Sequence, residues 1–105
     1  MDVIVAGRHT DVDDAVKEYC QKKVGRLERY YNRVKSVEVI LDGQANGFVA
    51  ELVVHADRTQ PFVATERNES VYAAVDLLVD KMERQLTRYK ERVRNRKHPP
   101  REGSE

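Results

Sequence analysis

The sequence lacks the features that mark membrane, secreted and nucleotide-hydrolysing proteins. No apolar run approaches the roughly 18 residues that span a bilayer, and Met1 is followed by Asp2 instead of a basic and then apolar leader. The single cysteine, Cys20, cannot form an internal disulfide, so nothing indicates an oxidising compartment. No glycine loop of the phosphate-binding kind is present. These absences predict a cytoplasmic protein with no membrane partner.

Residues that could carry catalysis or hold a metal ion are few and dispersed. Cys20 falls on the predicted core face of a helix, where a free cysteine is usually an inert small hydrophobe. His9, His55 and His98 are too far apart in the sequence to show metal-ligand spacing. The sequence therefore predicts a protein that is not an enzyme, with no catalytic residue, no cofactor, no metal and no small-molecule substrate.

The near-neutral net charge of +1 conceals basic and acidic segments. Residues 17–35 contain seven basic and two acidic groups, and residues 81–105 contain nine and four, so each segment carries +5. Residues 1–16 contain one basic and four acidic groups, and residues 36–80 contain two and eight, so these segments carry −3 and −6. Positive charge segregated in this way is what a polyanion partner requires.

Hydrophobic periodicity predicts one α+β domain of the order β-α-β-β-β-α, a four-stranded sheet with two helices packed on one face. Alternating apolar residues predict strands at residues 2–7, 36–42, 48–57 and 61–67. The proline that opens the last of these strands favours a sheet edge. The glycine-flanked segment 43–47 predicts the flexible connection of a hairpin.

Helical spacing predicts a first helix from an Asp13 cap to about Tyr31, and a longer second helix from Asn68 or Ser70 to Arg94. The core stripe of the first helix comprises Val16, Cys20, Val24, Leu27 and Tyr31. The domain is expected to cover residues 1–94, followed by a flexible polar tail at residues 95–105.

Each predicted helix carries a line of basic residues. In the first helix Lys22, Arg26, Arg29 and Arg33 fall within roughly 60° of one another, nearly opposite the apolar stripe. In the second helix one flank carries Lys81, Arg84, Arg88 and Arg92, and the other carries Asp76, Asp80 and Glu83. Because both helices pack on the same side of the sheet, the two basic faces could lie side by side as one RNA-binding platform.

Two other interpretations of these basic lines remain open. Exposed lysines and arginines are often only solvated, and a basic protein-interaction module could act on an acidic protein partner. The opposite sheet face, with Glu38, Asp42 and Glu51, is acidic and lacks stacking aromatic rings. This composition argues against an RRM-like module.

The chain resembles the ribosome hibernation promoting factors, also called ribosome-associated translation inhibitors or sigma-54 modulation proteins. The resemblance covers residues 1 to about 92 and is carried by residues 7–9, 18–19, 22–23, 72–76 and, most specifically, 80–90. Family members usually have an acidic residue just before the Met-Tyr that starts their second helix, and this chain has Ser70-Val71 there. Serine also caps a helix, so the second helix is still expected. Long family members carry a further C-terminal domain, so the resemblance fits a short member or the N-terminal domain of a long one.

The resemblance implies a fold similar to double-stranded-RNA-binding domains. It implies that the partner is the small ribosomal subunit, through ribosomal RNA and neighbouring ribosomal proteins. It further implies occupation of the decoding cleft, exclusion of messenger and transfer RNA, and hence silencing of ribosomes in stress or stationary phase. Basic positions of the family motif correspond to Lys22, Lys23, Lys81, Arg84, Arg88 and Lys90. Helix geometry adds three RNA-binding candidates, Arg26, Arg29 and Arg92.

Overall fold

A four-stranded sheet and two helices make up residues 1–97, the part of the chain that the computed structural model describes. The elements follow the predicted order β-α-β-β-β-α, so the α+β fold class is confirmed. In chain order they are β1 (Asp2–Arg8), α1 (Asp14–Gly25), a 3₁₀ turn (Arg26–Arg29), β2 (Val34–Gln44), β3 (Gly47–Ala56), β4 (Phe62–Asn68) and α2 (Val71–Lys97).

The strands lie in the order β1-β2-β3-β4, with β1 parallel to β2 and the other neighbours antiparallel. A parallel pair needs a crossover connection, and α1 provides it. Strand β4 is at an edge of the sheet, as Pro61 predicted. Alternate residues of β2, namely Val37, Val39 and Leu41, are buried beneath the helices. Both helices therefore cover one face of the sheet.

The predicted apolar stripes of the helices form the core. Cys20 and Leu27 are completely buried, and Val24 is nearly so. They pack in one cluster with the sheet and with residues of α2, which include Val75, Leu78, Met82 and Leu86. Val16 and Tyr31, the first and last members of the predicted stripe, are only partly buried at the margin of this cluster.

Side-chain caps fix where both helices begin. The Asp13 carboxylate accepts the backbone N–H of Val16 at 2.9 Å. The Ser70 hydroxyl accepts the N–H of Ala73 at 3.3 Å, so Ser70 is the cap of α2. The Asn68 side chain accepts the N–H of Ser70 at 3.0 Å instead and orders the turn before the helix. The serine that departs from the family pattern thus starts α2 as a cap.

The first helix is shorter than predicted. It ends at Gly25 and continues as the 3₁₀ turn Arg26–Arg29. The backbone N–H groups of Tyr30 and Tyr31 then donate to the Leu27 carbonyl at 3.0 and 3.1 Å. Glycine is a poor helix former, and 3₁₀ geometry is common at helix ends. Of the predicted helical line of four basic residues, only Lys22 lies in α1, whereas Arg26 and Arg29 lie in the 3₁₀ turn and Arg33 lies beyond it.

The connection between β2 and β3 is also tighter than predicted. The two strands pair as far as Gln44 and Gly47, so the turn contains only Ala45 and Asn46. Gly47 has a φ of 141°, and a Cβ there would lie 2.7 Å from the Asn68 carbonyl oxygen. Glycine at this position thus lets the hairpin close without a longer loop.

Within the described residues the second helix covers Val71–Lys97, which takes it three residues beyond the predicted boundary. Residues 95–97 of the predicted tail are therefore helical, which is consistent with the absence of glycine and proline from residues 71–98 of the sequence. The rest of that predicted tail, residues 98–105, lies outside the described residues. Neither helix within residues 1–97 has the length and apolar character needed to cross a membrane.

Candidate nucleic-acid interface

Four of the predicted RNA-binding residues lie together on α1 and the 3₁₀ turn. Lys22, Arg26 and Arg29 are exposed, and Lys23 is half-buried. All four line a groove of about 830 Å³ between α1 and α2, which we call the interhelical groove. The structure therefore brings these four cations together, although Arg26 and Arg29 are positioned by the 3₁₀ turn and not by α1.

Lys23 is held in an interhelical cluster. Its ammonium lies 3.2 Å from the Asp76 carboxylate of α2 and 5.5 Å from the centre of the Tyr19 ring. The Tyr19 hydroxyl donates to the same carboxylate at 2.6 Å, and this hydrogen bond raises the pKa of Tyr19 above its ordinary value. Lys23 thus joins α1 to α2, and its charge is already partly balanced within the protein.

The basic flank of α2 faces β4 and not α1. Lys81 lies 3.0 Å from the Glu66 carboxylate and also donates to the Thr65 carbonyl at 3.0 Å. One turn further along, the Gln85 amide donates to the Val63 carbonyl at 2.9 Å. Exposed basic side chains continue this flank at Arg84, Arg88 and Arg92. Arg92 lies 6.0 Å from the centre of the Tyr89 ring.

The acidic flank of α2 separates the two sets of cations. Asp76, Asp80 and Glu83 line the interhelical groove opposite the basic residues of α1. The expectation that the two basic faces lie side by side is therefore wrong. The reason is geometric, because packing of the apolar stripe of α2 onto the sheet directs one flank toward α1 and the other toward β4.

A second groove, which we call the end groove, lies where α2 passes the 3₁₀ turn and the β3–β4 turn. It measures about 850 Å³ and includes one predicted candidate on each side, Arg29 and Lys90. Lys90 is thus placed apart from Lys81 and Arg84. Arg29 and Tyr30 line both grooves, so the end groove and the interhelical groove meet at these residues.

Three further arginines line the end groove, Arg33, Arg58 and Arg94. The sequence placed Arg33 in the basic line but gave no reason to single out Arg58 or Arg94. Arg58 has a φ of 61°, a left-handed conformation that is uncommon outside glycine, asparagine and aspartate. No residue pattern reveals this conformation or the meeting of the β3–β4 turn with the end of α2.

The segment that opens the family resemblance, residues 7–9, ends β1 and begins the loop that leads to α1. His9 has a φ of 56°, and its Nδ1 lies 3.0 Å from the Asp42 carboxylate. A Cβ on Gly7 would lie 2.6 Å from the Thr10 carbonyl oxygen and 2.8 Å from Val12. The glycine is therefore needed for packing of the loop that leads into α1.

Comparison with known proteins gives one consistent result. Residues 3–94 match the family described as sigma 54 modulation protein / S30EA ribosomal protein. A ribosome hibernation promoting factor of Azotobacter vinelandii is 39% identical over 92 residues, which cover 88% of this chain and 85% of that protein. The protein of the same name from Salmonella typhimurium is 29% identical over 94 residues, covering 90% of this chain and 98% of the relative.

Solved structures give the same fold. The N-terminal domain of Thermus thermophilus Protein Y superposes with a TM-score of 0.76 at 31% identity, covering 85% of this chain and 99% of that one. A ribosomal subunit interface protein of Coxiella burnetii superposes with a TM-score of 0.80, covering 87% of this chain and 99% of that one, but at 24% identity it supports the fold alone. The family resemblance found in the sequence is thus confirmed.

Proposed function

Because the chain belongs to the sigma 54 modulation protein / S30EA ribosomal protein family, we propose that it is a ribosome hibernation factor. It binds the small ribosomal subunit in the decoding cleft and inhibits translation by excluding messenger and transfer RNA. The observation that carries this proposal is the match to ribosome hibernation promoting factors over 88–90% of the chain. A protein with this role works in the cytoplasm, where ribosomes are.

The charge distribution supports this proposal. A cleft lined with ribosomal RNA presents phosphates, and cations that contact them release condensed counterions. The exposed candidates for such contacts are Lys22, Arg26, Arg29, Arg84, Arg88, Lys90 and Arg92. Lys23 and Lys81 also belong to the proposed surface, but each is already paired with a carboxylate, so we expect smaller contributions from them.

Inhibition by occupancy requires no chemistry from the protein. Cys20 carries the side chain that would be the most reactive nucleophile, but it is completely buried. Burial raises the pKa of its thiol to about 11. The reactive thiolate is therefore a minor species at neutral pH. Neighbours from both helices and the sheet surround the side chain, which gives it a packing role.

Cys20→Ala should lower the free energy of unfolding by about 1 kcal/mol, because the sulfur leaves a small cavity in the core. Ribosome binding should not change. Denaturant unfolding and ribosome co-sedimentation measure the two effects on one preparation. Cys20→Ser is the matched comparison and should cost more, since it places a hydroxyl in an apolar site. Loss of ribosome binding by a stably folded Cys20→Ala protein would assign the thiol a chemical role.

Sedimentation through a sucrose gradient tests the proposed function directly. We expect the protein to migrate with particles that contain the small subunit, and to remain at the top of the gradient after RNase treatment. Its ribosome-bound fraction should fall steeply as salt is raised. Absence from the ribosomal fractions at low salt contradicts the proposal. Binding that resists both salt and RNase would favour an acidic protein partner instead.

A further inference from the structure

The end groove carries unbalanced positive charge. Its five cationic side chains are Arg29, Arg33, Arg58, Lys90 and Arg94. None of the five forms an ion pair with another residue of the described chain, 1–97. Three carboxylates also line the groove, but two of them are engaged elsewhere. Glu28 lies 3.8 Å from the N-terminal ammonium, and Asp57 lies 2.9 Å from Lys35.

Tyrosine rings lie among these cations. Tyr31 and Tyr89 meet edge to face with centroids 5.7 Å apart, and Tyr89 meets Phe62 at 5.2 Å, so Tyr31 and Tyr89 are held in the wall of the groove. Tyr30 is partly buried against the margin of the core and has no aromatic partner within residues 1–97. It lines both grooves where they meet, so the exposed part of its side chain borders the cations of the end groove.

The β3–β4 turn is tied to this site. The backbone N–H of Asp57 donates to the Arg33 carbonyl at 3.1 Å, which holds the turn against the chain that follows the 3₁₀ turn. The next residue, Arg58, keeps a left-handed backbone that glycine would adopt with less strain. Strained residues of this kind cluster at binding sites, and here the strained residue contributes a cation to the groove.

From these features we propose that the end groove binds an unpaired RNA nucleotide, with its base stacked on Tyr30 and its flanking phosphates held by the surrounding arginines and Lys90. Basic grooves with interleaved aromatic rings bind single-stranded nucleic acid in this way. The inference rests on the proposed function for its choice of RNA as the polyanion. It adds a single-strand site that shares Arg29 and Lys90 with the surface proposed to contact folded ribosomal RNA.

Groove shape and chemistry favour a single strand over the alternatives. A volume of about 850 Å³ is within the range of pockets that accept small ligands. Stacked bases of a duplex are not available to a tyrosine ring, whereas an unpaired base presents its face. An acidic peptide supplies negative charge but no flat ring to cover Tyr30.

Fluorescence anisotropy with a labelled oligouridylate of about six nucleotides tests the proposal. Tyr30→Leu should weaken binding roughly fivefold or more, because one stacked base is lost, while Tyr30→Phe keeps the ring and should bind normally. Arg33→Ala with Arg58→Gly should weaken binding by roughly tenfold or more, since two phosphate contacts are lost. Glycine suits the backbone at position 58, so this variant should fold.

Controls separate stacking from simple charge attraction. Arg67→Ala removes an exposed cation from β4, outside both grooves, and should change the affinity less than twofold. An abasic strand of the same length should bind more weakly than oligouridylate and should not respond to Tyr30→Leu. The proposal is overturned if Tyr30→Leu binds oligouridylate normally, or if hexa-aspartate displaces the strand as well as unlabelled oligouridylate does.

Sucrose gradients on the same preparations distinguish this inference from the proposed function. A protein that migrates with ribosomes but does not bind oligouridylate retains the proposed function and loses the end-groove site. A protein that binds oligouridylate through Tyr30 but never migrates with ribosomes retains the site and loses the proposed function.

Discussion

Arg84→Glu combined with Arg88→Glu should abolish co-sedimentation with ribosomes while the protein remains folded. Both side chains are exposed on the flank of α2 that faces away from α1, and neither forms an ion pair within residues 1–97. Two charge-assisted contacts are lost and replaced by repulsion. At roughly 1.5 kcal/mol or more for each contact, the affinity should fall by about a hundredfold. Thermal unfolding verifies the fold.

A control with the same change in net charge makes this result specific. Arg67→Glu with Gln44→Glu and Ala45→Glu alters only exposed residues on β4 and at the β2–β3 hairpin. Ribosome binding by this protein should stay within a few-fold of the wild type. Equal loss of binding in the control and the α2 variant would mean that overall charge, and not the basic flank, decides binding.

A charge change at Lys22 of α1 and Arg26 of the 3₁₀ turn requires a different design. Lys22 and Arg26 line the interhelical groove with Asp76, Asp80 and Glu83, so their reversal to glutamate adds repulsion inside the protein. Lys22→Gln with Arg26→Gln removes the positive charge without creating that repulsion. We expect this neutral pair to weaken ribosome binding strongly and to unfold close to the wild-type temperature. Near-normal binding by both the α1 and the α2 variants would contradict the proposed surface.

Inhibition of translation should be fully reversible and competitive. If the protein acts by occupying the cleft, raising initiator transfer RNA and messenger RNA together should relieve inhibition in a reconstituted system. A high-salt wash should remove the protein by weakening its phosphate contacts and restore full activity, with ribosomal RNA intact. Translation yield before and after the wash, with gel analysis of the ribosomal RNA, measures these outcomes.

Each alternative gives a different pattern in the same assay. An enzyme that damages ribosomes leaves them inactive after the wash. A factor bound at a remote site washes off but shows no relief when transfer and messenger RNA are added. Either pattern would contradict inhibition by occupancy, although the second leaves the protein a ribosome-binding factor.

Periodicity predicted most of the fold because burial repeats at regular intervals. Cys20 and Leu27 were placed in the core, and Ser70 was one of two predicted caps, on spacing and side-chain chemistry alone. The end of α1 was less predictable because Gly25 could be tolerated within a helix or could end it. The tight hairpin was not predicted because the need for glycine at position 47 comes from the close approach of Asn68, which is distant in the sequence.

The sequence alone could not predict how the two basic faces lie relative to each other. A helical wheel shows that the acidic and basic residues of α2 lie on different flanks, but not which flank faces α1. That depends on which strands each helix covers, and here it places Asp80 beside Arg26 in one groove. Arg58 and Arg94 were not predicted for a related reason. They line the end groove with Arg29 because distant parts of the chain pack together.

The two hydrogen bonds from α2 to the backbone of β4 have a consequence for self-association. Lys81 and Gln85 donate to the carbonyl oxygens of Thr65 and Val63 on an edge strand, which within residues 1–97 pairs only with β3. Unpaired carbonyls on an edge are the acceptors that an added strand from another molecule would use. Because side chains of the same molecule already satisfy them, and one carries a charge, β4 is a poor template for fibril growth.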